Sequence, residues 1–205
     1  MIVWVASFPR SGNTFLRIVL HRLYGIRTST VYDVDGVAAR LGPDLIGFTE
    51  RPGTLATLRA DTEPHFIKTH RRRDTDVHEN DPSRYEPELR TKILRQSPTG
   101  TGSWGANVLS WLHPPAAHRM VLRYEDLTSD PIHHVTTIVS ALAPALTPVI
   151  DPAIPSMDEL RLRDDRFFRR GHTGSHRDEL PPELHELFWS RADNREAMHL
   201  LEISR

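Results

Sequence analysis

Apolar positions in this chain fall into runs of two kinds. Ile2 to Phe8 is a short β-branched and aromatic run, which predicts a buried strand. From Phe15 the apolar residues stand at 15, 16, 18, 19, 20 and 23, with Arg17, His21 and Arg22 on the other side. That spacing predicts a helix, which Gly25 is placed to end. "HFIKTH", residues 65–70, predicts a second short strand, and "RMVLRYEDL", residues 119–127, a third. Trp104, Val108 and Trp111 share one helical face in "SWGANVLSWL". Asp130 as N-cap and Pro131 as first helical residue begin a further helix. "ELRTKILRQ", residues 88–96, predicts a short helix, and the chain closes on an amphipathic one. Residues 31–64 mix short helical patterns with Gly and Pro, and residues 141–156 read as a Pro-rich packed connection. Strands alternating with helices predict a single α/β domain, residues 1–205, with a mainly parallel central sheet flanked by helices.

Ligands of such sheets sit beyond the carboxyl ends of the strands. Pro9–Thr14, Lys68–His70 and Tyr124–Asp126 are all expected to emerge at that edge. "PRSGNT" places small and polar residues between a strand and the N-terminus of a helix, where free N–H groups and the dipole attract an anion. Gly12 lets the backbone approach a ligand, Ser11, Asn13 and Thr14 can donate hydrogen bonds, and Arg10 adds a fixed charge. An ordinary turn capped by Asn13 or Thr14 accounts for the same residues. The loop is neither a Walker loop, since Asn13 stands where its lysine belongs, nor a dinucleotide fingerprint.

Composition narrows the classes. A formal net charge of −1 gives no bulk attraction to nucleic acid or to an anionic membrane, so neither is expected as a partner. The chain has no cysteine, hence no thiolate nucleophile and no cysteine-based zinc site. Twelve histidines form no tight ligand pattern, and no metal is expected. The first residues read as a core strand rather than a signal peptide, which together with the missing spanning segment predicts a soluble cytoplasmic protein.

The motifs together resemble the sulfotransferases that use 3′-phosphoadenosine 5′-phosphosulfate. "SFPRSGNTF" resembles that family's 5′-phosphosulfate loop, with Arg10 in place of its lysine. "IKTH" is similar to the strand end that carries a lysine and the catalytic histidine, here Lys68 and His70. "GSWGANVLSWL" resembles a G-S-W-x-x-H-V-x-x-W motif with Asn107 for the histidine, and "VLRYEDL" a strand whose tyrosine, here Tyr124, lies near the adenine. "FFRRGHTG" is similar to the turn that holds the 3′-phosphate through Arg169, Arg170 and the Gly171 backbone.

The resemblance implies a P-loop-like three-layer fold and sulfuryl transfer to a hydroxyl or amine of a small-molecule acceptor. His70 would act as general base, with Lys68 and Arg10 stabilising charge on the departing oxygen. Arg10, Ser11, Gly12, Asn13, Thr14, Phe15, Tyr124, Arg169, Arg170 and Gly171 would hold the donor, which is a co-substrate needing no metal. Phe15 suits adenine stacking or core packing equally, and Trp104 and Trp111 suit packing better than ligand contact. One departure stands out. Only 31 residues separate His70 from Gly102, and they hold no apolar strand and no R-N-P-x-D-x-x-x-S pattern, so a strand–helix unit of the family is absent. Two other readings therefore stay open: a sulfotransferase-like nucleotide-binding protein impaired in catalysis, and a small-molecule phosphotransferase.

Overall fold

The computed structural model describes residues 1–73, 100–168, 173–174 and 180–202. The expected helix at 88–96, most of the polar stretch at 71–87 and the basic turn at 169–171 lie outside them. The protein is α/β. Three strands, β1 (Ile2–Ala6), β2 (Thr28–Thr30) and β3 (His65–Thr69), form one open sheet in the order β1-β3-β2. All run parallel: β2 pairs with β3 through Thr28↔Phe66, Ser29↔Ile67 and Thr30↔Lys68. On the other side of β3, His65 N–H donates to Met1 O and Ser7 N–H to Thr69 O.

Ten helices are described: α1 (Asn13–Tyr24), α2 (Gly36–Leu41), α3 (Pro43–Ile46), α4 (Leu55–Ala60), α5 (Trp104–Leu112), α6 (Tyr124–Ser129), α7 (Pro131–Leu142), α8 (Met157–Arg163), α9 (Pro182–Ser190) and α10 (Ala192–Leu200). The chain divides into two compact units, each assembled from separate segments. The first comprises Met1–Val5, Gly12–Lys68 and Leu122–Thr173, and the second Ala6–Ser11, Thr69–Val121 and Gly174–Arg205.

In the first unit α1 forms as its spacing predicts and ends where Gly25, at φ 66°, donates its N–H to His21 O. Ile18, Val19, Val135, Val139 and Leu160 are fully buried in one cluster with Phe15, Leu20 and Leu127. Each such side chain contributes about 1.5–3 kcal/mol relative to exposure. Asp130 caps α7 by accepting the His133 N–H at 3.0 Å, and Pro131 occupies its first turn, as expected. The connection at 141–156 is packed in part. Leu146 and Ile154 lie against the core, whereas Ile150 is 95% exposed.

Two expectations fail here. "RMVLRYEDL" forms no strand: Met120 and Val121 are exposed, and α6 begins at Tyr124. Three apolar residues are too few to outweigh a helical first turn holding Glu125 and Asp126, with Arg123 Nε donating to Asp126 at 3.2 Å. Thr28–Thr30 supplies the third strand instead, with all three polar residues buried. The second failure is Arg17, placed with the polar side of its helix yet 0% exposed.

In the second unit α5 packs on α10. Ser103 caps α5 through the Ala106 N–H and donates its own hydroxyl to Asp193 Oδ2 at 2.7 Å. A Cβ on Gly105 would lie 2.5 Å from the Asp193 carbonyl carbon, so only glycine permits this approach. The Gly105 N–H donates to Asn194 Oδ1 at 3.0 Å, and Asn194 Nδ2 to Phe188 O. The expected closing helix is two, α9 and α10, separated at Arg191, whose backbone is extended.

Candidate functional site

The polar loop between β1 and α1 contributes residues to both units, Gly12 onward to the first and Ala6–Ser11 to the second. In the first unit Gly12 occupies the N-cap position of α1 with φ 91°, and Leu16 N–H closes the first helical bond on Gly12 O at 3.0 Å. No acidic residue stands in the first turn, and the N–H groups of Asn13, Thr14 and Phe15 have no carbonyl partner within the helix. Such a terminus attracts an anion. Asn13 is buried and donates Nδ2 to Val5 O at 3.2 Å, which ties the loop to the end of β1. Thr14 is half-buried, and its hydroxyl makes no hydrogen bond among the described residues. Phe15, 6% exposed, belongs to the hydrophobic core.

Tyr124 comes to this loop from the start of α6 rather than from a strand. A Cβ on Gly12 would lie 2.7 Å from Tyr124 Cδ2. The ring is half-buried, and burial together with Glu125 holds its hydroxyl above the usual phenol range. The structure thus brings Gly12 and Tyr124 together.

Lys68 sits in a charged cluster of the same unit. Arg17 Nη1 meets Asp35 Oδ2 at 2.7 Å, with both side chains wholly buried, and Arg17 Nε donates to Thr28 Oγ1 at 2.7 Å. Asp35 Oδ1 accepts the N–H groups of Val37 and Ala38, so one carboxylate caps α2 and pairs with α1. Burial alone would raise the Asp35 carboxyl; Arg17, Lys68 and the Ala38 N–H outweigh it and hold the group below the usual range. The Lys68 ammonium lies 4.8 Å from the centre of the Tyr32 ring. Burial lowers its pKa to about 8, against the pull of Asp35 and with the push of Arg17.

In the second unit Ser11 Oγ donates to Phe8 O at 2.6 Å, which closes the loop on itself. Arg10 is exposed and holds a left-handed φ of 70°, uncommon for a residue with a side chain. His70 lies one residue beyond β3. Its Nδ1 stands 2.8 Å from Ser7 O and 3.3 Å from Ser7 Oγ. A carbonyl oxygen only accepts, so Nδ1 carries the proton in the neutral ring and Nε2 carries the lone pair. This is the tautomer a general base at Nε2 needs.

Arg169, Arg170 and Gly171, expected to hold a 3′-phosphate, lie outside the described residues. Among the described residues no group of three or more His, Asp and Glu side chains converges as a metal site, and no helix is long and apolar enough to cross a membrane. Sequence reasoning did not single out Ser7, Tyr32 or Asp35. Asp35 before Gly36 carries a capping signal, whereas the part played by Ser7 is a backbone carbonyl and leaves none. No protein-family model matches the chain, and no curated protein matches it.

Proposed function

We propose that this chain is a cytoplasmic sulfotransferase of P-loop-like three-layer architecture. It would move a sulfuryl group from 3′-phosphoadenosine 5′-phosphosulfate to a hydroxyl or amine of a small-molecule acceptor. The observation that carries this reading is the Ser7 carbonyl on His70 Nδ1 at the carboxyl end of β3. It supports a base at Nε2 within the "IKTH" motif. The acceptor gives its proton to Nε2 as it attacks sulfur, and the electron pair of the breaking S–O bond leaves with the 5′-phosphate. The residues present fit an anionic donor: a helix terminus with no acidic first turn, the left-handed Gly12 and the exposed Arg10. Gly12–Thr14 and Arg10 would bind the phosphosulfate, Tyr124 the adenine edge, and Arg169, Arg170 and Gly171 the 3′-phosphate. A sulfuryl group is less charged than a phosphoryl group, so the reading calls for no Mg²⁺ clamp.

A second reading, a nucleotide-binding protein without turnover, is favoured by the 7% exposure of Lys68 in its cluster with Asp35 and Arg17. Calorimetric titration with adenosine 3′,5′-bisphosphate, against ATP with and without Mg²⁺, tests the binding half. Metal-independent preference for the bisphosphate is expected, and equal or better binding of ATP with a strict Mg²⁺ requirement points to a phosphotransferase instead. His70→Ala tests the chemistry. kcat should fall roughly 100-fold or more with bisphosphate affinity unchanged; an unchanged kcat removes His70 from the mechanism.

A further inference from the structure

Backbone groups at each of the four residues from His70 to Arg73 are held by the 100–111 segment. Asn107, 1% exposed, donates Nδ2 to His70 O and to Thr101 O, each at 2.9 Å. Trp111 donates Nε1 to Arg71 O at 2.9 Å. Arg72 N–H donates to Gly100 O at 2.7 Å, and Arg73 N–H to Ser110 Oγ at 3.1 Å. The side-chain partners stand at 107, 110 and 111, the i, i+3, i+4 spacing of one helix face. Ser110 Oγ in turn donates to Asn107 O at 2.7 Å, which joins two of them. His70 is therefore fixed at two ends, its carbonyl by Asn107 and its ring by Ser7 O.

We propose that Asn107 and Trp111 are positioning residues for His70, holding its main chain so that Nδ1 stays on the Ser7 carbonyl and Nε2 stays the basic nitrogen. The proposal rests on the reading of His70 as general base. Its reach is physical. An imidazole released from a carbonyl loses the constraint that selects its tautomer, and a shift of an ångström at a reacting group costs about 100-fold in rate. Both donors, an amide and an indole N–H, are neutral, so neither adds a titrating group to the brace.

The test uses the full chain, Asn107→Ala and Trp111→Phe, the latter keeping an aromatic ring while removing the donor. Nitrogen-15 NMR of the imidazoles, with His70 assigned by comparison with His70→Ala, reads the tautomer directly; kcat and KM are measured alongside. The Nδ1–H share of His70 should fall in both variants. kcat should drop about 10-fold to 100-fold in Asn107→Ala and less in Trp111→Phe, with KM within about twofold. A folded variant pair that keeps the parent tautomer and pH profile overturns the proposal. Should Asn107→Ala fail to fold, Trp111→Phe decides the matter by itself. A parent protein that binds the bisphosphate but never turns over would overturn the sulfotransferase reading, while the tautomer measurement would still decide the role of Asn107 and Trp111.

Discussion

Two regions of this molecule hold a titratable side chain in place, Lys68 in one and His70 in the other, by different means. Lys68 is surrounded by charge: Asp35 and Arg17 act on it, and that pair is itself wholly buried. Neutral groups hold the surroundings of His70: the Asn107 amide on its carbonyl, the Trp111 indole on the next carbonyl, and the Ser7 carbonyl on its ring. Buried ion pairs are unforgiving, because losing one partner strands the other in a low dielectric. Neutral hydrogen bonds fail by degrees, each contributing about 0.5–1.5 kcal/mol net. The charged region should respond steeply to pH and to single substitutions, and the neutral one gradually.

The largest effect is expected from breaking the ion pair. Asp35→Ala leaves Arg17 buried without its carboxylate and removes the cap of α2, so urea unfolding should show a loss of about 3–5 kcal/mol. A loss below about 1 kcal/mol would mean that the pair is solvated in solution, and the contrast would collapse. Next comes Lys68, whose ammonium is favoured more in the unfolded chain (10.5) than in the folded one (about 8). The unfolded state then binds more protons between those values, so this group makes stability rise as pH climbs from about 8 to 10.5. Lys68→Met should remove a penalty of about 3 kcal/mol at neutral pH and flatten that rise. An unaltered pH profile in the variant would count against the burial of the ammonium. The smallest expected effect lies in the neutral region: Gly105→Ala forces a methyl against Asp193 and should cost about 1–3 kcal/mol. It should also loosen α5, and hydrogen exchange at the Arg72 and Arg73 amides would report that. Unchanged exchange with lowered global stability would separate α5 packing from the His70 brace.

Local grammar made much of the first unit readable. The strand–loop–helix from Ile2 to Tyr24, the strand at His65–Thr69 and the Asp130–Pro131 helix start all rest on short-range signals, apolar spacing, a capping carboxylate and a proline. What stayed hidden depends on partners far along the chain. Thr28–Thr30 looks polar and becomes a buried strand because Arg17 and Lys68 O engage the Thr28 and Thr30 hydroxyls. Arg17 looks like a surface residue and goes inside because Asp35 meets it. Leu122 and its two apolar neighbours look like a strand, but the acidic turn after them starts a helix. At the site, the loop and His70 were visible as motifs, whereas the Ser7 carbonyl that selects the tautomer belongs to the backbone and has no letter of its own. Trp111 was expected to pack; its indole N–H bonds the Arg71 carbonyl, a contact that helical spacing does not reveal.

The strand order has a consequence for how the chain is made. In β1-β3-β2 the two strands that precede β3 in sequence are not neighbours; of the strands in the sheet, each is paired with β3 alone. A nascent chain emerging at about 5–20 residues per second must therefore hold β1 and β2 unpaired until residues 65–69 have left the ribosome. During that interval α1 can form from local contacts alone, while the Ile2–Ala6 run remains an apolar segment with an open edge. Assembly of the sheet then waits on "HFIKT", so the segment that carries Lys68 is also the one whose arrival lets both earlier strands pair.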